Sequence, residues 1–258
     1  MRKQDNELLT RTGPDTAMGN LFRNYWIPAM KSDDLEVDAA PIRLRLLSEN
    51  LIAFRTTSGK VGIFEHHCPH RCASLYYGRN EGDGIRCVYH GWKFDVTGQC
   101  LETPTETADS DIKDQVQATA YVTRERGGVV WVYMGDKDAV PELPEFEANL
   151  LPEGARWVVC GLRECNWLQA LEGGIDSSHV SWLHSRELER DPLFKGAEAN
   201  KYNMGDMKPV FEVEPSEGGL YIGARRNVEG DKHYWRVTQW VMPCFTMIAP
   251  RADHPQHG

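Results

Sequence analysis

Residues 68–92 read CPHRCASLYYGRNEGDGIRCVYHGW. This stretch holds two short motifs, each with one cysteine and one histidine. Cys68 and His70 form a C-x-H motif, and after sixteen residues Cys87 and His90 form a C-x-x-H motif. Each half therefore offers one thiolate and one imidazole, and each half lies next to a predicted short strand.

This division of ligands is the one that a Rieske-type [2Fe–2S] cluster requires, because one iron takes two cysteines and the other takes two histidines. A structural zinc site is the alternative, since two cysteines and two histidines also suit tetrahedral zinc. Zinc fingers usually group their cysteines in one half and their histidines in the other, so the mixed halves favour the cluster. We predict that Cys68, His70, Cys87 and His90 hold a [2Fe–2S] cluster that transfers one electron at a time.

The sequence around the two motifs has the pattern of a small all-β domain. Short apolar runs alternate with glycine-containing turns, which predicts a series of hairpins. The predicted strand pairs are 51–54 with 61–64, 92–96 with 99–101, and 120–122 with 129–133. A proline-rich acidic connector at 141–145 then predicts a domain boundary.

A second group of metal-ligand residues follows in a segment, 166–184, whose apolar spacing predicts a helix. Asp176, His179 and His184 offer one carboxylate and two imidazoles, the set that binds non-haem Fe(II). Asp176 and His179 would face each other on a helix, but the two histidines would point about 140° apart. Joint ligation therefore requires a π-bulge or a helix break. A capped or surface arrangement without metal is the alternative.

Several stretches of the chain resemble one enzyme family, the Rieske non-haem iron aromatic-ring-hydroxylating oxygenases. Besides 68–92, these are 6–14, 25–28 and 165–173, which are similar to the phthalate and phenoxybenzoate dioxygenase branch. The resemblance implies an α+β fold, with a small all-β Rieske domain and a truncated helix-grip catalytic domain built on an antiparallel sheet. The implied domains are a helical arm packing on the catalytic domain (1–40), the Rieske domain (41–140) and the first part of the mononuclear iron domain (141–258).

The same resemblance assigns roles to the second group of residues. His179 and His184 match the family's two iron-binding histidines. Asp176 matches a residue that hydrogen-bonds the iron-ligating His179 and also a cluster-ligating histidine, His90, of the neighbouring subunit in a head-to-tail trimer. Asp176 is therefore expected to act beside the metal rather than as a ligand. Glu172 is a further carboxylate in this segment, and it matches no assigned role.

The third iron ligand of the family is a carboxylate from a helix well over a hundred residues past the second histidine. The sequence ends at Gly258, so this ligand is expected beyond it, and the chain is expected to be a fragment of a longer polypeptide. Asp206, Asp231 and Asp253 lack the helical context of that ligand.

The function implied by the resemblance is that of a dioxygenase in the catabolism of aromatic compounds. Electrons from NADH would arrive through a flavin- and ferredoxin-type reductase, and the cluster would deliver them to iron for O₂ activation and hydroxylation of a carboxylated aromatic substrate. The expected assembly is a homotrimer or hexamer. The alternatives are an O-demethylating monooxygenase of the same family, a pure Rieske electron carrier, and a fragment without a competent iron site. The pair Arg225 and Arg226 is predicted to be a surface charge pair rather than a substrate contact.

Composition excludes several other classes of protein. The formal net charge of −9 over 258 residues argues against nucleic-acid binding, and no apolar run approaches the roughly 18 residues of a membrane span. Seven irregularly spaced cysteines do not form a secreted disulfide framework, so a cytoplasmic protein is expected. Cys72 has no partner cysteine between Cys87 and His90, so we expect it to be reduced. Both Cys72 and Cys100 are predicted to be small buried residues.

Overall fold

The computed structural model describes residues 1–185, 190 and 198–248. The chain divides into two compact units, Met1–Leu162 and Arg163–Gly258. The first unit contains both cysteine–histidine motifs, and the second contains Asp176, His179 and His184. The three-part division with boundaries at 40 and 140 stays a prediction. No helix in the described part of the chain has the length and apolar character that crossing a bilayer requires.

The first unit is built on a six-stranded antiparallel sheet. Its strands are β1 (Trp26–Lys31), β2 (Ile42–Leu46), β3 (Glu49–Arg55), β4 (Val61–Glu65), β9 (Ala120–Arg126) and β10 (Val129–Tyr133). Their order across the sheet is β1-β10-β9-β4-β3-β2. The run 51–54 is completely buried, so this strand packs on both faces, as its uninterrupted apolar sequence indicates. Strand β1 pairs with β10, which places residues 26–31 in this sheet.

A second, smaller sheet carries the cysteine–histidine motifs. Its strands are β5 (Arg79–Glu81), β6 (Gly84–Arg86), β7 (Lys93–Asp95) and β8 (Cys100–Glu102), paired in that order. The first motif follows β4, and the second lies between β6 and β7. The predicted hairpin at 92–101 is present, and Gly98 at its turn has a φ of 89°, which a glycine adopts without strain. Phe54, Phe64 and Phe94 pack beneath the motifs in one core.

Short helices flank these sheets. They are α1 (Lys3–Thr10), α2 (Ala17–Phe22), α3 (Ile112–Gln115) and α4 (Glu147–Leu150). The hydroxyl of Thr16 caps α2 by accepting a hydrogen bond from the amide of Gly19 at 3.1 Å. The N-terminal segment thus contains two helices, of which α2 buries Phe22.

The second unit pairs helices with a four-stranded antiparallel sheet. Its elements are α5 (Trp167–Ile175), α6 (Glu198–Gly205), β11 (Val210–Ser216), β12 (Gly219–Asn227), β13 (His233–Val241) and β14 (Phe245–Met247). The strands pair in sequence order, and α5 packs on β13 and β14 while α6 packs on β12. The helix predicted over 166–184 is wrong beyond Ile175, where the chain leaves helical geometry.

Candidate metal centres

The two cysteine–histidine motifs fold into loops of the same shape. The amide of Cys72 donates to the carbonyl of Cys68 at 2.9 Å, and the amide of Gly91 donates to the carbonyl of Cys87 at 3.0 Å. Cys72 and Gly91 have φ values of 55° and 74°, so each loop turns back sharply four residues after its cysteine. The repeated turn presents a cysteine and a histidine from each loop.

The four predicted ligands converge at the end of the small sheet. Cys68 and Cys87 are each only 2% exposed, and their sulfur atoms lie within hydrogen-bonding reach of each other. The ring centroids of His70 and His90 are 4.5 Å apart. The ring of Trp92 stacks on His70 with a centroid distance of 4.3 Å and an angle of 3°. Cysteines thus occupy the buried side of the site, and histidines the outer side.

The state of these side chains fits a bound metal. Nδ1 of His70 is buried and has no hydrogen-bond partner in the described part of the chain, which is unfavourable unless another group, such as a metal, binds it. Burial, together with nearby His90 and Arg71, lowers the pKa of His70 and keeps the imidazole in its neutral, ligating form. Burial raises the pKa of the Cys68 thiol to about 12, so a thiolate there requires a cation.

The division of the four predicted ligands favours two irons over a single zinc ion, because each loop offers one cysteine and one histidine. Among the described residues, three donor atoms lie within 4.8 Å of one another in one group only, Glu65, His66 and His67. His67 is exposed, and its Nδ1 forms a hydrogen bond with Oε1 of Glu65 at 2.7 Å.

The cysteines outside the ligand set are all unpaired thiols. Cys100 is 3% exposed, as predicted for a small buried residue. The same prediction for Cys72 is wrong, because its left-handed backbone lies at the tip of the loop and the side chain is exposed.

We expect Cys72→Ser to leave the midpoint potential of the cluster unchanged, near the lower end of the Rieske range at roughly −150 mV. The reason is that Cys72 is a free thiol and no cysteine follows Cys87 within its loop to form a bridge across the site. A redox titration followed by EPR measures the potential of both proteins. A shift in the variant, or in the wild type after treatment with a thiol reductant, would contradict this expectation.

The second group of residues lies where helix α5 ends. Asp176 has extended backbone angles (φ −80°, ψ 123°), and its carboxylate accepts hydrogen bonds from the amides of Ser178 at 2.8 Å and His179 at 3.1 Å. A single 3₁₀ turn, His179–Ser181, follows. An aspartate that accepts from the next amides begins a new turn instead of continuing the helix. The α-helix therefore ends before both histidines, and the two histidines do not lie on a continuous helix, as their five-residue spacing required.

This break brings the three predicted residues together. Nδ1 of His179 lies 3.0 Å from Oδ2 of Asp176, and the ring centroids of His179 and His184 are 5.2 Å apart. An Nδ1–H donated to the carboxylate leaves Nε2 of His179 with a lone pair for a metal. Burial opposes ionisation of Asp176, but hydrogen bonds from Ser178 and His179 outweigh it, so its pKa lies below the usual value. Two imidazoles and an oriented carboxylate fit a ferrous site.

One functional candidate that the sequence interpretation missed is Arg226. It is completely buried, and its guanidinium donates to the carbonyl oxygens of Ser177 at 2.8 Å and Asp206 at 3.1 Å. The prediction of a surface pair is therefore wrong for Arg226. Side chains alternate along a strand, so Arg226 points inward from β12 while Arg225 points to the opposite face.

Neither Asp206 nor Asp231 completes a ligand set with the two histidines among the described residues. The carboxylate of Asp206 accepts hydrogen bonds from the amides of Asn227 at 2.8 Å and Lys208 at 3.1 Å, which makes it a turn-capping residue. Asp231 is exposed in the loop between β12 and β13, and Asp253 lies outside the described residues. A third iron ligand beyond Gly258 stays a prediction.

Comparison with known proteins supports this interpretation along the chain. Residues 25–136 match the Rieske [2Fe-2S] domain, and residues 132–255 match a domain described as LigXa C-terminal domain like. The structure is similar to dicamba monooxygenase bound to dicamba, with a TM-score of 0.65, 22% identity and coverage of 92% of this chain and 70% of that chain. This structural likeness concerns the fold.

Two curated relatives are oxygenase subunits of bacterial enzymes. The chain is 43% identical to the 3-chlorobenzoate-3,4-dioxygenase oxygenase subunit of Comamonas testosteroni, over 98% of this chain and 58% of the relative. It is 41% identical to the phthalate 4,5-dioxygenase oxygenase subunit of Pseudomonas putida, over 96% and 58%. The chain thus spans less than two thirds of the length of these relatives. The matched domains and these relatives together show that the chain belongs to the Rieske aromatic-ring-hydroxylating oxygenase family.

Proposed function

We propose that the chain forms part of an oxygenase component that passes electrons from a Rieske cluster to a mononuclear non-haem iron, which activates O₂. The cluster would be held by Cys68, His70, Cys87 and His90, and the iron by His179 and His184. The observation that carries the proposal is the presence of two separate metal-ligand sets in one chain, each with the donor types of its centre. An electron carrier alone requires only the first set.

The residues around each centre have distinct tasks in this proposal. When bound, the cluster supplies reversible one-electron transfer and ferrous iron supplies O₂ activation. The buried thiolates hold the inner side of the first site, while Trp92 fixes the ring plane of His70 by stacking on it. At the second site, Asp176 accepts the Nδ1–H of His179 and so sets its tautomer and orientation.

The proposed substrate is an aromatic carboxylate. Support comes from the names of two relatives, which act on 3-chlorobenzoate and phthalate. Ring hydroxylation is the first candidate reaction. O-demethylation is the second, because a relative at 38% identity is the 5,5'-dehydrodivanillate O-demethylase oxygenase subunit of a Sphingobium strain.

We further propose a reductase partner and an oligomeric assembly. Several relatives are named as subunits of multicomponent oxygenases, which supports a flavin- and ferredoxin-type reductase that draws on NADH. In a homotrimer or hexamer, Asp176 of one subunit would link His179 to His90 of the next subunit.

Seven unpaired thiols suit a reducing compartment, which supports a cytoplasmic location.

Iron counting tests the proposal against the pure electron carrier. In equilibrium dialysis against ferrous iron without oxygen, we expect three iron atoms per chain, two in the cluster and one at the histidine pair. His179→Ala should retain the cluster iron and lose the third atom. His233→Ala, which removes an exposed histidine of the same unit, should still bind three. Two atoms in a wild-type polypeptide that also contains the predicted third ligand would support the carrier and contradict the oxygenase.

A further inference from the structure

Arg226 occupies an unusual environment for an arginine. It projects from β12 into the interior of the second unit and is completely buried. Each hydrogen bond that it makes to the described residues goes to a neutral oxygen rather than to a carboxylate. The acceptors are the carbonyl and hydroxyl of Ser177 at 2.8 and 3.4 Å, the hydroxyl of Ser181 at 3.5 Å and the carbonyl of Asp206 at 3.1 Å.

Stabilisation of the folded state does not by itself explain a buried arginine without a carboxylate partner among the described residues. Removing a guanidinium from water is unfavourable, and apolar residues of similar size often give equal or greater stability than a buried charge. Burial and the nearby charge of Arg236 lower the pKa of Arg226, although a guanidinium stays protonated. A buried charged group can instead favour one conformation of the chain segment that it hydrogen-bonds. The segment bound by Arg226 is therefore the place to look for its role.

The segment held by Arg226 is the turn that carries His179. Ser177 and Ser181 lie two residues before and two residues after this histidine, and both hydrogen-bond the same guanidinium. The hydroxyl of Ser181 also donates to the carbonyl of Asn203 at 2.7 Å, which ties the turn to α6. Both serines are almost completely buried, so the turn is clamped on each side of His179.

We infer that Arg226 is a positioning residue for the iron site, which clamps the 177–181 turn so that His179 and His184 face a common point. This inference deepens the proposed function and rests on it. The planar guanidinium is suited to the task because its fixed donor directions reach two points of one turn at once.

Three variants separate positioning from simple packing. Arg226→Met keeps a long apolar side chain and removes every donor, whereas Arg226→Lys keeps the charge without the planar fork. Thr238→Val is the matched control, because Thr238 is a buried polar residue of the neighbouring strand β13, 4% exposed, and has no hydrogen bond to the turn among the described contacts. Melting temperatures measure the general loss of stability in each variant.

Two further readouts test the turn itself. The first is Co²⁺ affinity, followed by the visible absorption of the bound ion, and the second is hydrogen–deuterium exchange of the amides of 177–183 without metal. We expect Arg226→Met to weaken Co²⁺ binding about tenfold, the lower end of effects from residues behind metal ligands, and to accelerate exchange in the turn. Arg226→Lys should recover part of both. Thr238→Val should change neither, even where its melting temperature falls equally.

The outcomes distinguish this inference from the proposed function. Equal Co²⁺ affinity in the wild type and His179→Ala would overturn the iron site. The exchange data would then still test whether Arg226 holds the 177–181 turn. Specific Co²⁺ binding that Arg226→Met leaves intact would overturn the role of Arg226 alone. Unchanged exchange at 177–183 in Arg226→Met, or the same acceleration in Thr238→Val, would overturn it as well.

Discussion

Cys87→Ser is expected to abolish the [2Fe–2S] cluster, whereas Cys100→Ser, the same change in the same core, is expected to retain it. The two thiols are 2% and 3% exposed and belong to one group of buried residues. They differ in their neighbours, because Cys87 lies beside Cys68, while the sulfur of Cys100 contacts the carbonyl of Glu102 at 3.7 Å. Only the first is placed to bind iron.

The expected loss has two parts. A serine hydroxyl does not replace the thiolate that iron–sulfur clusters require, so visible absorption, acid-labile sulfide and the EPR signal should disappear. Because metal binding stabilises the folded state, the Cys87→Ser protein should also melt at a lower temperature than the loaded wild type. Cys100→Ser should lose at most about 1–3 kcal/mol, since the new hydroxyl can donate to the carbonyl of Glu102.

The spectra and the sulfide content of the two purified variants show whether Cys87 is a cluster ligand and Cys100 is not. A cluster that survives in Cys87→Ser would remove Cys87 from the ligand set. If both variants lost the cluster equally, assembly would depend on packing of this core and not on ligation by Cys87.

The first centre was predictable from the sequence because ligand type and spacing determine its chemistry locally. One thiol and one imidazole in each half indicated the cluster, and glycine turns between short apolar runs indicated the hairpins around it. The orientation of the side chains could not be predicted in the same way. The exposure of Cys72 depends on a left-handed residue at the loop tip, which a sequence favours only weakly unless the residue is glycine.

The second centre was predictable only in part, and for a physical reason. Histidines five residues apart cannot face one point on a regular helix, and the structure agrees, because the α-helix ends at Ile175 and both histidines follow it in non-α-helical chain. The continuous helix to His184 was wrong because the side chain of Asp176 competes for the amides that follow. Arg226 was missed because its partners lie up to 49 residues away in sequence, where no local pattern connects them.

Asp176→Asn is expected to weaken metal binding at the histidine pair about 100-fold while leaving the Rieske cluster spectroscopically unchanged. The carboxylate accepts from two amides and lies 3.0 Å from Nδ1 of His179. A carboxamide has one accepting oxygen, and its NH₂ group cannot accept the Nδ1–H. His179 must then lose this partner or change its tautomer, and either change removes Nε2 from the orientation that a metal requires.

The control is Glu172→Gln, which removes one negative charge from the same segment. The side chain of Glu172 is exposed on α5. Its backbone carbonyl accepts a hydrogen bond from the amide of Asp176 at 3.1 Å. Metal affinity and single-turnover oxidation of the reduced cluster by O₂, with phthalate and 3-chlorobenzoate as probe substrates, should be affected in Asp176→Asn alone. Equal losses in both variants would mean that only the net charge of the segment matters. Because hydrogen bonds from Ser178 and His179 hold the pKa of Asp176 below its usual value, the carboxylate stays ionised throughout the neutral range. Titration of Asp176 should therefore not change the metal affinity of the wild type between about pH 6.5 and 8.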